Sequence, residues 1–343
     1  MKQGLASTAA RCRRLVAGLL SLAGAASAHA EDTAASPSPR ADVIVVVGAA
    51  GAEEFREPFQ TWADRWKKAA EAARVPAELI GLDDQKAGDD GKPASDRERL
   101  RQELARQVGP PEGRLWVVLI GHGTYDGKTA RFNLRGEDVT PTDLRGWLAP
   151  IERPVAILDC TSSSAPFLAE LSAPNRVVVT ATRSGSEFNF ARFGDALSAG
   201  VTAAEADLDK DEQSSLLEAY LFAAARTAEF YSSQTRLQTE HALLDDNGDK
   251  QGTPADFFQG LKAAKAAKSG AAADGGLASG FVLVPSERES RLPAEVKRQR
   301  DGLEWELAGL RARKDSLDEE AYWKEVERIV TAIARLYGET EKP

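Results

Sequence analysis

Leu115-Trp116-Val117-Val118-Leu119-Ile120-Gly121-His122-Gly123 is the stretch on which the fold turns. Six apolar residues run without alternation, four of them β-branched or aromatic, and a glycine ends the run. An uninterrupted apolar run of this length fits a strand buried on both faces, as a parallel sheet between helix layers requires. The same signature recurs at 42–48 (DVIVVVG), 154–159 (PVAILD), 176–180 (RVVVT) and 281–284 (FVLV), with a shorter version at 78–81 (ELIG). Helix-like stretches alternate with these runs, notably at 59–73 and 96–107. The expected fold is α/β: a mostly parallel sheet between helix layers.

Outward from that block, the two ends of the chain read differently. Lys2, Arg11, Arg13 and Arg14 precede an apolar run at 15–26 and then Ala28-His29-Ala30. A positive region, a short apolar core and an A-x-A site are the marks of a secretory signal over residues 1–30. The apolar core is too short to span a bilayer, and no later run is long enough. Residues 31–40, rich in Ala, Ser and Pro, read as a linker. The expected location of the mature protein is therefore secreted or periplasmic. Removing four of the 44 basic residues leaves 40 against 53 acidic ones, a net charge of about −13. Such a balance speaks against a nucleic-acid partner, whose phosphates need a basic patch. Of the two cysteines, Cys12 leaves with the signal, so Cys160 stands alone and forms no intramolecular disulfide.

In open α/β sheets, ligands bind beyond the carboxyl ends of the strands. His122 ends one run and Cys160 ends another, so both are expected on that edge. A thiol beside an imidazole can yield its proton and attack as a thiolate, and the imidazolium can then protonate the leaving amine. Gly123 lets the backbone approach a substrate, and its N–H can donate to an oxyanion, together with the amide of Cys160. A buried free cysteine and an ordinary strand-end histidine are the alternative. His241 ends no strand and reads as structural.

A strand ending in Ile120-Gly121-His122-Gly123, followed by one ending in Ile157-Leu158-Asp159-Cys160, resembles the clan CD cysteine peptidases, which include caspases and legumains. The resemblance covers about residues 42–284 and is nearer the legumain-like C13 branch. It implies a caspase/hemoglobinase-like fold over 41–285 and a His122–Cys160 dyad cleaving a peptide or protein through a thioester, with no metal needed for the chemistry. The segment 45–63 (VVVGAAGAEEFREPFQTWA) resembles the legumain first strand and loop, with Arg56 at a substrate-pocket position. The segment 180–198 (TATRSGSEFNFARFGDALS) resembles the other pocket wall, with Ser184 and Asp195 near pocket positions. A pocket of this kind implies cleavage after Asn or Asp. Two departures stand out: the caspase Q-A-C-x-G signature is absent, and Leu158 occupies the place of a legumain glutamate.

Asp207, Asp209, Asp211 and Glu218 fall at positions 1, 3, 5 and 12 of an EF-hand loop, a pattern that can hold a structural calcium. Glu212 stands where the sixth-position glycine is usual, and an acidic loop capping a helix explains the same residues. Asp245, Asn247, Asp249 and Asp256 repeat the pattern over 245–256, with the same two readings. A low-complexity connection fills 262–276. Beyond Pro293, Val296, Leu303, Leu307 and Leu310 mark one helix face, and Tyr322, Val326, Ile329, Ile333 and Leu336 another. Ser316 and Glu319 offer a capping box between them. Residues 293–338 are thus expected to form an amphipathic helical hairpin, which packs on the body or receives a partner. The leading functional expectation is an exported cysteine endopeptidase. A non-catalytic caspase-like scaffold or binding protein, and a calcium-dependent structural module, are the alternatives.

Overall fold

Strands that bury both faces must be covered by helices on both sides, and the architecture follows from that requirement. A computed structural model describes residues 42–82, 94–110, 113–264, 273–312, 314 and 317–340. The expected signal segment, the linker, Ser316 and most of the low-complexity connection lie outside the described residues. In chain order the body runs β1 (Val43–Val47), α1 (Glu53–Ala73), β2 (Ala77–Ile80), α2 (Asp96–Arg106), β3 (Leu115–Ile120), β4 (Gly123–Tyr125) and β5 (Ala130–Phe132). It continues with α3 (Pro141–Leu148), β6 (Val155–Asp159), α4 (Ala165–Leu171), β7 (Arg176–Thr180), α5 (Phe193–Gly200), α6 (Leu216–Ser233), β8 (Leu243–Asp245) and β9 (Thr253–Pro254). A small antiparallel ribbon (Phe258–Gln259 with Lys262–Ala263, the latter at the start of the expected low-complexity connection), then α7 (Glu287–Arg291), α8 (Ala294–Ala312) and α9 (Glu319–Thr340), follow.

The main sheet has seven strands in the order β2-β1-β3-β6-β7-β8-β9. Its first five are mutually parallel, and β8 and β9 add antiparallel edges. Val45, Trp116, Val118, Ile120, Leu158 and Val179 face a layer built from α1, α5 and α6. Ile44, Val117, Leu119, Ile157 and Val178 face the opposite layer of α2, α3 and α4. The period of two along each strand thus divides one apolar run between two cores. Capping is explicit: Thr140 with Asp143 opens α3, and Ser215 with Glu218 opens α6, each as a reciprocal box.

Two expectations at the sheet's margin need correction. The run FVLV at 281–284 is not a sheet strand. Phe281 instead packs into the α1 side of the core, and Val282 makes a single bridge to Ser215. The sheet is extended by β8, a three-residue strand paired with β7 from Val178↔Asp245 to Thr180↔Leu243. The helix after β1 begins at Glu53, six residues before the helix-like stretch expected at 59–73, and Pro58 lies inside it.

α8 and α9 form the expected hairpin, joined by Leu307, Leu310, Tyr322 and Ile329. It is tied to the body by Arg114–Asp301 at 2.8 Å and by Arg300–Glu289 at 2.6 Å. The Tyr337 hydroxyl donates to Glu289 at 2.8 Å and accepts from Arg300 at 2.9 Å. Among the described residues, no helix is long and apolar enough to cross a membrane.

Candidate functional site

β3 and β6 are adjacent and parallel, with Leu119 opposite Asp159, so the residues that follow them emerge on one edge. His122 and Cys160 therefore lie on that edge, and both turn toward the α1 layer. The His122 ring meets Phe55, Phe59 and Phe190 with centroid separations of 4.7, 5.3 and 6.0 Å. Its Nε2 is 3.1 Å from the Ala50 carbonyl. A carbonyl can only accept, so Nε2 carries the proton and Nδ1 is the ring's acceptor when neutral.

Cys160 is in a different setting. It is 1% exposed, within the core cluster that includes Trp62, Phe193 and Leu197. The backbone of α5 presses on it: a Cβ placed at Gly194 would stand 2.7 Å from Cys160 Cβ and 2.9 Å from the Trp62 ring. Among the described residues the thiol's one hydrogen-bond contact is to the carbonyl of Leu158 at 3.9 Å, and none joins it to His122. Burial pushes its pKa up, and the nearby carboxylates of Asp159 and Glu240 push the same way. At neutral pH it is a thiol, not a thiolate.

The two expected oxyanion amides are both occupied. Cys160 N donates to the Leu119 carbonyl at 3.0 Å as part of the sheet ladder. Gly123 N donates to Ser162 Oγ at 3.3 Å, and Ser162 Oγ donates back to the Gly123 carbonyl at 3.1 Å. This reciprocal pair straps the end of β6 to the His-Gly turn. Gly123 is required there, since a Cβ would meet the Ser162 carbonyl at 2.1 Å and Thr161 Oγ1 at 2.7 Å.

What the edge gathers beside His122 is a run of buried hydroxyls, Thr161-Ser162-Ser163-Ser164. Asp159 anchors it, accepting from Thr161 N at 3.1 Å and Thr161 Oγ1 at 2.6 Å. Asp159 Oδ2 and Ser163 Oγ are buried without hydrogen-bond partners. Burial raises the Asp159 carboxyl to about 7, against the opposing bonds from Thr161. The four consecutive hydroxyl residues after PVAILD were visible in the sequence, but the search for a thiol passes over them.

The expected pocket residues do not converge. Arg56, on the outer face of α1, pairs with Glu53 at 3.0 Å. Asp195, at the start of α5, pairs with Arg65 at 2.6 Å. Arg65 lies nine residues along α1 from Arg56, roughly 14 Å by helical rise. Ser184 sits on the intervening loop and meets Ser186 Oγ at 2.8 Å. That loop is held instead by residues the sequence reading missed or set aside. Glu187 receives the His241 Nδ1–H at 2.6 Å, and the buried Glu240 accepts from Arg192 N, Phe193 N and the Tyr231 hydroxyl. At the rim, Tyr125 packs beside Gly185 and Phe188 stands 75% exposed.

In the first acidic loop, the carboxylates of Asp207, Asp209 and Asp211 lie within 4.8 Å of one another. Glu212 takes the positive φ of +70° expected of the missing glycine. Glu218 spends its oxygens on the backbone amides of Leu208 and Ser215, both at 2.8 Å, so the capping reading accounts for it. In the second loop, Asp256 is exposed on a 3-10 turn (Ala255–Phe257) and stands apart from the hydrogen bonds of the loop. Neither a scan against protein-family models nor a search of curated proteins finds a match.

Proposed function

We propose that this chain is a non-catalytic relative of the caspase/hemoglobinase-like fold, exported to the periplasm or the medium, where it serves as a binding or scaffold module. The observation that carries the reading is the occlusion of Cys160, sealed beneath Gly194 of α5 and Trp62 of α1 and hydrogen-bonded to its own strand. A thiol peptidase needs an exposed, ionisable sulfur within reach of its base, and an amide free to hold the oxyanion. Here the sulfur is held neutral by burial, and both candidate amides already have acceptors. The strand-end edge is filled by a hydroxyl network in place of a reactive centre. Its rim offers exposed aromatic surface at Tyr125 and Phe188, the residue type most used to anchor protein partners.

The peptidase is the second reading, and one observation favours it. His122 and Cys160 end neighbouring strands and face the same aromatic layer. Catalysis would require α5 to withdraw, freeing the thiol. The two readings separate in one assay. The purified chain is incubated with peptides carrying Asn, Asp, Lys or Arg before the scissile bond, beside its Cys160→Ala variant. The scaffold reading expects no turnover above buffer for either protein. Turnover by the parent chain that vanishes in Cys160→Ala would establish the peptidase.

A further inference from the structure

Asp246 and Asp274 are buried acids, 6% and 5% exposed, that hold two distant stretches of the chain together. Each caps the other's backbone. Asp274 Oδ1 accepts from Asp246 N at 2.9 Å, while Asp246 Oδ1 accepts from Gly275 N at 2.9 Å. Asp246 Oδ2 takes Leu277 N and Ala278 N, both at 2.8 Å, and Asp274 Oδ2 takes the Thr253 hydroxyl at 2.5 Å. The two carboxyls also bond to one another, side chain to side chain. Two ionised carboxylates repel at that range, so the bond needs a proton, and the pair keeps one between them.

The surroundings offer nothing to offset a second charge. Among the described residues, no Lys, Arg or His side chain bonds to Asp246 or Asp274. The titratable groups that face them are acids as well: Asp245 on β8 and Tyr220 on α6, with Asp249 and Asp256 beyond. Arg114 meets the same stretch of chain only farther along, stacked on Phe281 at 5.5 Å and paired with Asp301. Burial raises both carboxyls above the ordinary 3.8, Asp274 to about 7. A carboxyl raised in this way gives stability that is complete below about pH 4 and is lost as pH rises to 7.

The stretch fastened by this pair runs through a 3-10 turn (Ala278–Gly280) to Phe281. The Phe281 ring meets Trp116 at 5.6 Å, and its carbonyl accepts from Leu216 N at 2.7 Å. Beyond it the chain passes to α7 and the hairpin. We propose that Asp246 and Asp274 form a proton-operated clasp: protonated, it holds residues 274–281 closed on the core, and as the proton is lost to water that segment opens ahead of the rest of the body. Opening withdraws Phe281 from Trp116 and uncovers the first turn of α6. The clasp is a property of the fold and does not rest on the binding function proposed above.

The test is hydrogen exchange of the full chain between about pH 5 and 7, corrected for the intrinsic pH dependence of amide exchange. Each opening releases one proton, so protection at Leu216, Gly275, Leu277 and Ala278 falls roughly tenfold per pH unit. Val45 and Val118, in the central strands, stay better protected throughout. Asp274→Asn can still donate to Asp246 but cannot ionise, and it holds protection at those four amides within about twofold over the same range. Constant protection in the parent chain, or a slope that survives in Asp274→Asn, overturns the clasp. So does protection equal to that of β3 at every pH, because the segment would then open only with the whole body. If Asp274→Asn fails to fold, the parent chain alone decides, by its slope and by the comparison with β3.

Discussion

Gly194 and Cys160 form the contact on which the functional reading hangs, and it lives at the level of single atoms. Adding a methyl at residue 194 would drive it into Cys160 Cβ at 2.7 Å and the Trp62 ring at 2.9 Å. Gly194→Ala is therefore expected to cost about 1–3 kcal/mol by overpacking, measured by denaturant unfolding. A neutral effect would mean that α5 does not seal the thiol. Asp159 sets a pH dependence. Its carboxyl titrates at about 7 in the folded chain, against an ordinary value of 3.8, because it is wholly buried. The folded state therefore holds the proton more tightly than the unfolded one. The stability linked to this group is complete below about pH 4 and is lost as pH rises to 7, at up to about 1.4 kcal/mol per pH unit. Asp159→Asn should flatten that decline, and a profile unchanged by the substitution would contradict it. Asp274, also raised to about 7 by burial, contributes with the same sign and leaves a residual slope. The positions of His122 and Cys160 at neighbouring strand ends were legible from apolar runs and a glycine stop. The burial of Cys160 was not, because it depends on a helix 34 residues farther along the chain.

At the scale of elements, four of the five parallel strands were readable because each is a continuous apolar run with a distinct end, while β2, AELI with Glu78 inside it, gave only a short and weaker run. β8 was not: three residues, Leu243–Asp245, offer no pattern, and the strand exists only because β7 supplies its partner. The run at 281–284 misled for the converse reason, since an apolar stretch of four fits a core plug as well as a strand. The placement of α5 follows from Glu240, a residue with no local signature. Its carboxylate accepts from Arg192 N at 2.9 Å and Phe193 N at 2.9 Å, and from the Tyr231 hydroxyl at 3.0 Å, so one buried acid fixes the helix entry. In Glu240→Gln, the amide NH₂ would confront one of those donors. The expected cost is about 1–3 kcal/mol, with faster hydrogen exchange through Phe193–Gly200 and β3 unaffected. Uniform destabilisation of sheet and helix alike would show that Glu240 acts globally instead.

Across the whole molecule, the chain is an α/β body with a helical hairpin docked by ion pairs near α7. Arg300 is the centre of that docking: it is mostly buried and bonded to Glu289 and the Tyr337 hydroxyl. In Arg300→Ala, hydrogen exchange should rise in α8 and α9 while the central strands stay protected; protection lost in both would mean that body and hairpin unfold as one. The apolar spacing of the hairpin was plain in the sequence, whereas its docking through Arg114–Asp301 depends on residues 187 apart. The chemistry of the strand-end edge was legible only as a list of residue types, since burial decides whether a thiol reacts. Alkylation of the native chain with iodoacetamide at neutral pH, followed at the Cys160 peptide by mass spectrometry, therefore tests the central claim most directly. The account predicts that Cys160 stays unmodified over hours in buffer and is modified within minutes in denaturant. Rapid modification in buffer, blocked by a peptide aldehyde, would contradict it.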